Sequence, residues 1–154
     1  MNLPIIDKSG IRNVSFGKNV RVVEPVNLYD CSIGDDCFIG PFVEIQKGVK
    51  IGNSTKIQSH SFVCELVSIG NHCVIAHGVN FVNDLFGNGR PAGGDKSLWA
   101  ETFLENNVYI GSNVTVLPVR ICSNVVIGAG SVVTKNITES GIYAGNPCKL
   151  LRRN

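Results

Sequence analysis

Five polar residues stand out for the chemistry they could do together: His60, Glu65, His77, Asn83 and Asp84. Imidazole exchanges protons near neutral pH, and carboxylates and carboxamides hold and orient polar ligands. Each residue also has a plainer role open to it. The two histidines could pack at a subunit interface. Glu65 could bridge a neighbouring Lys or Arg, and Asn83-Asp84 could simply shape a turn, which both residue types favour. His72, after Asn71, reads as a solvated corner residue, the usual surface habit of histidine. Beside a long loop, the five make a candidate polar site on a chain with little other polar clustering.

The elements that must position them are set by a six-residue beat. It runs Phe16, Val22, Leu28, Ile33, Ile39, Ile45, Ile51, Ile57, Val63, Ile69, Ile75, Phe81, and resumes at Leu104, Ile110, Val116, Ile121, Ile127 and Val133. A second small or branched residue follows four places later, as in Cys37, Val43, Val49, Thr55, Ser61 and Cys73. A period of six is neither the 3.6 of a helix nor the 2 of a plain strand. It fits a short strand and a corner, repeated. Three units close a triangular coil, and coils stack as parallel strands roughly 4.8 Å apart. Asn19, Asp35, Asn53, Asn71, Asn113 and Asn124 are well placed at the corners for positive φ or tight bends.

With three units per coil, residues eighteen apart stack. Glu65 and Asn83 are so related and should point outward together, while His60 and His77 lie one coil apart with an offset of one place. The five candidates then fall on two adjacent faces, with His72 on the third. Two units, Leu28 to Ile33 and Val116 to Ile121, are one residue short. From about Gly87 to Phe103 the beat stops; this Gly-rich stretch with the only Trp reads as a loop extruded from one corner, and long loops in compact domains are often functional.

Composition is that of one compact domain over residues 1–154: 44% hydrophobic and 17% charged. A net charge of +2 gives no field to attract nucleic acid. No apolar run is long enough to span a membrane, and the first ten residues lack a basic head and apolar signal core, so a cytoplasmic protein is expected. Five of the six cysteines sit at small repeat positions, Cys31, Cys37 and Cys73 inward and Cys64 and Cys122 at the second place, and all six read as reduced structural residues. No CxxC spacing supports a zinc site.

The stretch IGAGSVVTK from Ile127 to Lys135, followed by AGNP from Ala144 to Pro147, resembles the signature of the bacterial hexapeptide-repeat acyltransferases. IQSHSFVCE from Ile57 to Glu65, with HGVNFVND from His77 to Asp84, is similar to the narrower group of nucleotide-sugar N-acetyltransferases. The resemblance implies a left-handed parallel β-helix; general crossover physics would have favoured the right hand. It further implies a homotrimer with sites between subunits, and acetyl-CoA as cosubstrate without a metal. The acceptor would be the amino group, at C3 in many relatives, of a UDP- or dTDP-linked deoxyamino sugar destined for bacterial surface polysaccharide such as lipopolysaccharide O-antigen.

Carried over by position, His60, Glu65, His77, Asn83 and Asp84 would line the sugar and thioester end, with His77 and Asn83 as the catalytic pair. Gly111 and Ala129 would offer backbone groups to the pantetheine arm, and Lys135, Lys149 and Arg152 would meet the CoA phosphates. An amine is already a good nucleophile, so placement by Asn83 and Asp84 is weighted above an essential histidine base. Outward Phe42 and Phe62 would be covered in the trimer. Three alternatives stay open: a sugar O-acetyltransferase of the same fold, a zinc enzyme like the γ-carbonic anhydrases built on His72 and His77, and a non-catalytic scaffold.

Overall fold

The computed structural model describes residues 3–153. The apolar beat folds as three ladders of very short strands, most of two residues, that wind around one core. The first face has seven strands, from Ile11–Arg12 to Val132–Val133; the second has six, from Ser15–Phe16 to Arg120–Ile121; the third has eight, from Arg21–Val22 to Lys149–Arg152. Pairing is parallel and one coil deep, as in Ile39 with Ile57, Ile57 with Ile75, Ile75 with Ile110 and Ile110 with Ile127. Among the described residues only the closing pair, Gly141–Ala144 with Lys149–Arg152, is antiparallel. This is the expected left-handed parallel β-helix.

In the two-residue strands after Ile11–Arg12 the second side chain turns inward, so the beat residues from Leu28 onward are buried in registered columns. The small inward places tolerate polar residues because the neighbouring coil satisfies them. Thr55 Oγ1 donates to Gly70 O at 2.9 Å and accepts from Cys73 N at 3.1 Å; Ser61 Oγ donates to Ala76 O at 2.9 Å and accepts from Val79 N at 3.3 Å. All six cysteines are free thiols. Burial pushes the Cys64 thiol up to about 12 and that of Cys31 to about 11.

The corner between the second and third faces shows which corner residue takes the left-handed turn. Asn19 and Asn124 do hold positive φ there, as Asn113 does at the corner between the third and first faces, but beside Asp35, Asn53 and Asn71 the left-handed residue is the next one: Asp36, Ser54 and His72, each at φ 55°. The reason is a side-chain ladder. Asp35 accepts from Lys18 N at 2.7 Å, Asn53 from Asp35 N at 2.8 Å, Asn71 from Asn53 N at 2.7 Å, and Asn106 from Asn71 N at 2.8 Å. The ladder needs glycine before each rung: a Cβ on Gly52 would lie 2.6 Å from both Asn71 Oδ1 and Gly70 C.

The beat is interrupted after Phe81. Ile51 pairs with Ile69 eighteen residues on, but Ile69 pairs with Leu104, thirty-five residues on. The inserted loop leaves the corner between the first and second faces, and its neck is closed by Ala100 N donating to Asn83 O at 2.9 Å. Thr102 and Phe103, expected in the loop, belong to the strand Thr102–Leu104: Thr102 and Leu104 point inward and only Phe103 faces out, which hid the strand. Of the outward phenylalanines, Phe42 is 57% exposed whereas Phe62 is half-buried against the core.

Candidate functional site

The turn from the third face to the first carries both histidines. Its rungs are fixed by His60 N to Pro41 O, Gly78 N to Ser59 O, Asn113 N to His77 O and Gly130 N to Ser112 O, at 2.8–3.1 Å. Two columns result. Pro41, Ser59, His77, Ser112 and Ala129 occupy the first place of the turn; Phe42, His60, Gly78, Asn113 and Gly130 occupy the second, all at positive φ. The offset between His60 and His77 is therefore real. The His60 ring stacks on Phe42, with centroids 4.8 Å apart, and the His77 Nδ1 lies 2.8 Å from Ser59 Oγ. Both histidines are exposed.

Glu65 and Asn83 stack at the next corner, where the loop departs. Asn83 Nδ2 donates to Glu65 O at 3.2 Å. The Glu65 carboxylate takes both its bonds from Lys96 Nζ, at 2.8 and 2.6 Å, and that ammonium also lies 5.2 Å from the centre of the Trp99 ring. Trp99 Nε1 beneath is buried without a hydrogen-bond partner. On the other side Glu65 N donates to Gln46 Oε1 at 3.3 Å, Gln46 Nε2 to Glu44 Oε1 at 2.8 Å, and Asn27 Nδ2 to Glu44 Oε2 at 3.1 Å, a polar row along the first face. Asp84 is spent on the loop itself: Oδ1 accepts from Phe86 N at 2.9 Å and Oδ2 from Ala92 N at 2.8 Å.

The five candidates are thus split. His60 and His77 stand at one edge of the first face and Glu65, Asn83 and Asp84 at the other. From His60 to Glu65 is five extended residues, a span of roughly 16 Å. A single chain does not bring them together. His72 lies at the third corner, apart from both groups, and among the described residues no cluster of three or more His, Cys, Asp or Glu could hold a metal ion.

The expected donor-binding residues divide likewise. Gly111 and Ala129 share the histidine corner and touch: a Cβ on Gly111 would come within 2.6 Å of Ala129 N. The turn leading to Lys149 is pinned over the same corner, by Gly145 N to Ser131 Oγ at 3.0 Å and Cys148 N to Val132 O at 2.8 Å. Lys149 and Arg152 follow on the last strand of the third face. Lys135, after the strand Val132–Val133, belongs to the loop corner instead. Two participants escaped the sequence. Ser59 sits eighteen residues before His77, a readable interval; Lys96 reaches Glu65 across thirty-one residues of irregular loop, which no periodicity encodes.

Comparison with known proteins places this architecture. The family model of the bacterial transferase hexapeptide (six repeats) matches residues 30–65, and that of the hexapeptide repeat of succinyl-transferase matches residues 102–135. The chain is 38% identical over 139 residues to the bifunctional protein GlmU of Thermodesulfovibrio yellowstonii, covering 90% of this chain but only 27% of that protein. It is 34% identical to the galactoside O-acetyltransferase of Lactococcus lactis, over 79% of this chain and 62% of the relative. The chain therefore spans about a quarter of the length of the first of these relatives and under two thirds of the second. Among solved structures, a mutant of AntD, an N-acyltransferase from Bacillus cereus in complex with dTDP and coenzyme A, superposes with a TM-score of 0.79 and 25% identity, over 91% of this chain and 84% of that one.

Proposed function

We propose that the chain, matched by hexapeptide-repeat family models over residues 30–65 and 102–135, is a hexapeptide-repeat acyltransferase that transfers an acetyl group from acetyl-CoA to the amino group of a UDP- or dTDP-linked deoxyamino sugar. The observation that carries the reading is the near full-length likeness to AntD, an N-acyltransferase whose structure holds both dTDP and coenzyme A. The continuity of the histidine corner supports it. His77, Ser112 and Ala129 follow one another up a single column, so a pantetheine arm lying against Gly111 and Ala129 would end at His77 two coils away, about 10 Å along the axis. Lys149 and Arg152, beyond the same corner, would meet the CoA phosphates; Lys135 would do so only from a neighbouring subunit.

In the reaction the amine nitrogen bonds to the thioester carbon and the C–S bond of the adduct breaks. The nitrogen gives up a proton and the CoA sulfur gains one. His77 carries that proton from nitrogen to sulfur, and a backbone N–H stabilises the oxyanion. Asn83 and His60 hold the sugar; Asp84 and Glu65 act behind them, by shaping the loop and by pinning Lys96. Because the two halves lie at opposite edges of one face, the site is completed in a homotrimer whose subunits set the loop corner of one chain against the histidine corner of the next. Exposed Phe42, Leu66, Phe86 and Tyr109 supply apolar surface for that contact.

One observation favours a second reading, O-acetyl transfer: the likeness to a galactoside O-acetyltransferase, together with a histidine held by a hydrogen bond. A hydroxyl needs its proton removed far more than an amine does. A thiol-release assay with acetyl-CoA against UDP- and dTDP-amino sugars and their hydroxyl counterparts separates the two. Release with amino sugars alone is expected; release with the hydroxyl series alone would replace the first reading by the second, and no release with either would remove both.

A further inference from the structure

Ser59 has no chemistry of its own to recommend it, yet its hydroxyl is the only hydrogen-bond partner of a His77 ring nitrogen among the described residues, at 2.8 Å. The serine is well anchored. Its carbonyl accepts from Gly78 N at 3.0 Å, and the coil below closes on it so tightly that a Cβ on Gly40 would lie 2.8 Å from Ser59 N. Its side chain is half-buried while His77 is exposed. The His60 ring, by contrast, stacks on Phe42.

We propose that Ser59 is the positioning residue of His77: its oxygen accepts the Nδ1–H and so fixes the tautomer in which the Nε2 lone pair is free to take the acceptor's proton. The neutral imidazole has one donor and one acceptor nitrogen, and the hydrogen bond made by one sets the other. A hydroxyl does this without placing a negative charge beside the ring, as a carboxylate would. The inference rests on the acyl-transfer reading for its catalytic meaning but not for its geometry. Other paired side chains one coil apart, such as Asn19 with Asp36 at 3.0 Å, are rungs that merely tie coils together, and the test must tell these roles apart.

The test is nitrogen NMR of the His77 ring, at a pH where it is neutral, in the wild type, Ser59→Ala and Ser59→Thr, beside steady-state kinetics of acetyl transfer. The wild type is expected to hold the Nδ1–H form, Ser59→Ala to shift towards Nε2–H, and Ser59→Thr to restore the first. In step, kcat should fall about tenfold in Ser59→Ala with little change in KM for acetyl-CoA, and return in Ser59→Thr. Ser59→Asp should move the acid limb of kcat/KM upward by about one pH unit, because a carboxylate favours the charged ring. The same tautomer in wild type and Ser59→Ala, or an altered tautomer with unchanged kcat, overturns the proposal. If the wild type transfers acetyl to no acceptor, the acyl-transfer reading fails, and the tautomer comparison alone decides whether Ser59 sets the ring.

Discussion

At the scale of single residues, the proposed division of labour falls between His77 and Asn83. The repeat made their stacking partners readable, since an interval of eighteen fixes Glu65 under Asn83 and Ser59 under His77. It did not reveal that Asp84 would be consumed by two loop amides, because that depends on the loop's own path. Asn83→Ala is expected to lower kcat/KM by about one to three orders of magnitude, a few kcal/mol of transition-state stabilisation. His77→Ala should cost less on an amine acceptor, and its rate should recover as pH rises and free amine accumulates. A pH–rate profile of both variants checks this. The cysteines offer a second residue-scale expectation. Burial holds the thiols of Cys31 and Cys64 above the ordinary value, so the folded state keeps protons that the unfolded chain releases first. Their contribution to stability is complete below about pH 9, the ordinary thiol range, and is lost as pH climbs towards the raised values. Melting temperature should fall over that window, and less steeply in Cys64→Ala, which also keeps its activity if the thiol only packs.

At the scale of elements, the sequence declares its coils but not its corners. Each aliphatic of the beat occupies the column expected of it, because a strand of two residues with one side chain inward leaves no other register. The rungs at Asp35, Asn53 and Asn71 shifted by one residue because their side chains serve the backbone of the preceding coil, leaving the left-handed turn to Asp36, Ser54 and His72. The close approach at the glycines is as restrictive as the core. Gly52→Ala would drive a methyl group into Gly70 and Asn71, and should cost about 1–3 kcal/mol in chemical denaturation, the usual scale of overpacking. The loop is held more weakly. The Lys96–Glu65 pair joins an exposed ammonium to a half-buried carboxylate, so Lys96→Ala should change global stability by no more than about 1 kcal/mol. It should nonetheless loosen the loop over Asn83, which proteolysis at residues 85–98 would register as faster cleavage than in the wild type.

At the scale of the whole molecule, a solenoid makes straight columns, and function is written along them. The histidine corner joins His60, His77, Gly111 and Ala129 without leaving one edge, whereas Glu65 and Asn83 wait at the other. That split is the physical reason to expect an assembly, and light scattering at micromolar concentration should give the mass of a trimer; a monomer would leave the site half built. Spacing already put the candidates on two adjacent faces, because it reports what stacks within one chain; the reach of Lys96 was not readable, since spacing is silent about what a loop or a second copy covers. The most direct measurement is a crystal structure with acetyl-CoA bound. The pantetheine arm should run along Gly111 and Ala129, with the thioester next to His77 and the phosphates towards Lys149 and Arg152. A donor lying along the loop corner, with its thioester beside Lys96 and away from any histidine, would contradict the account.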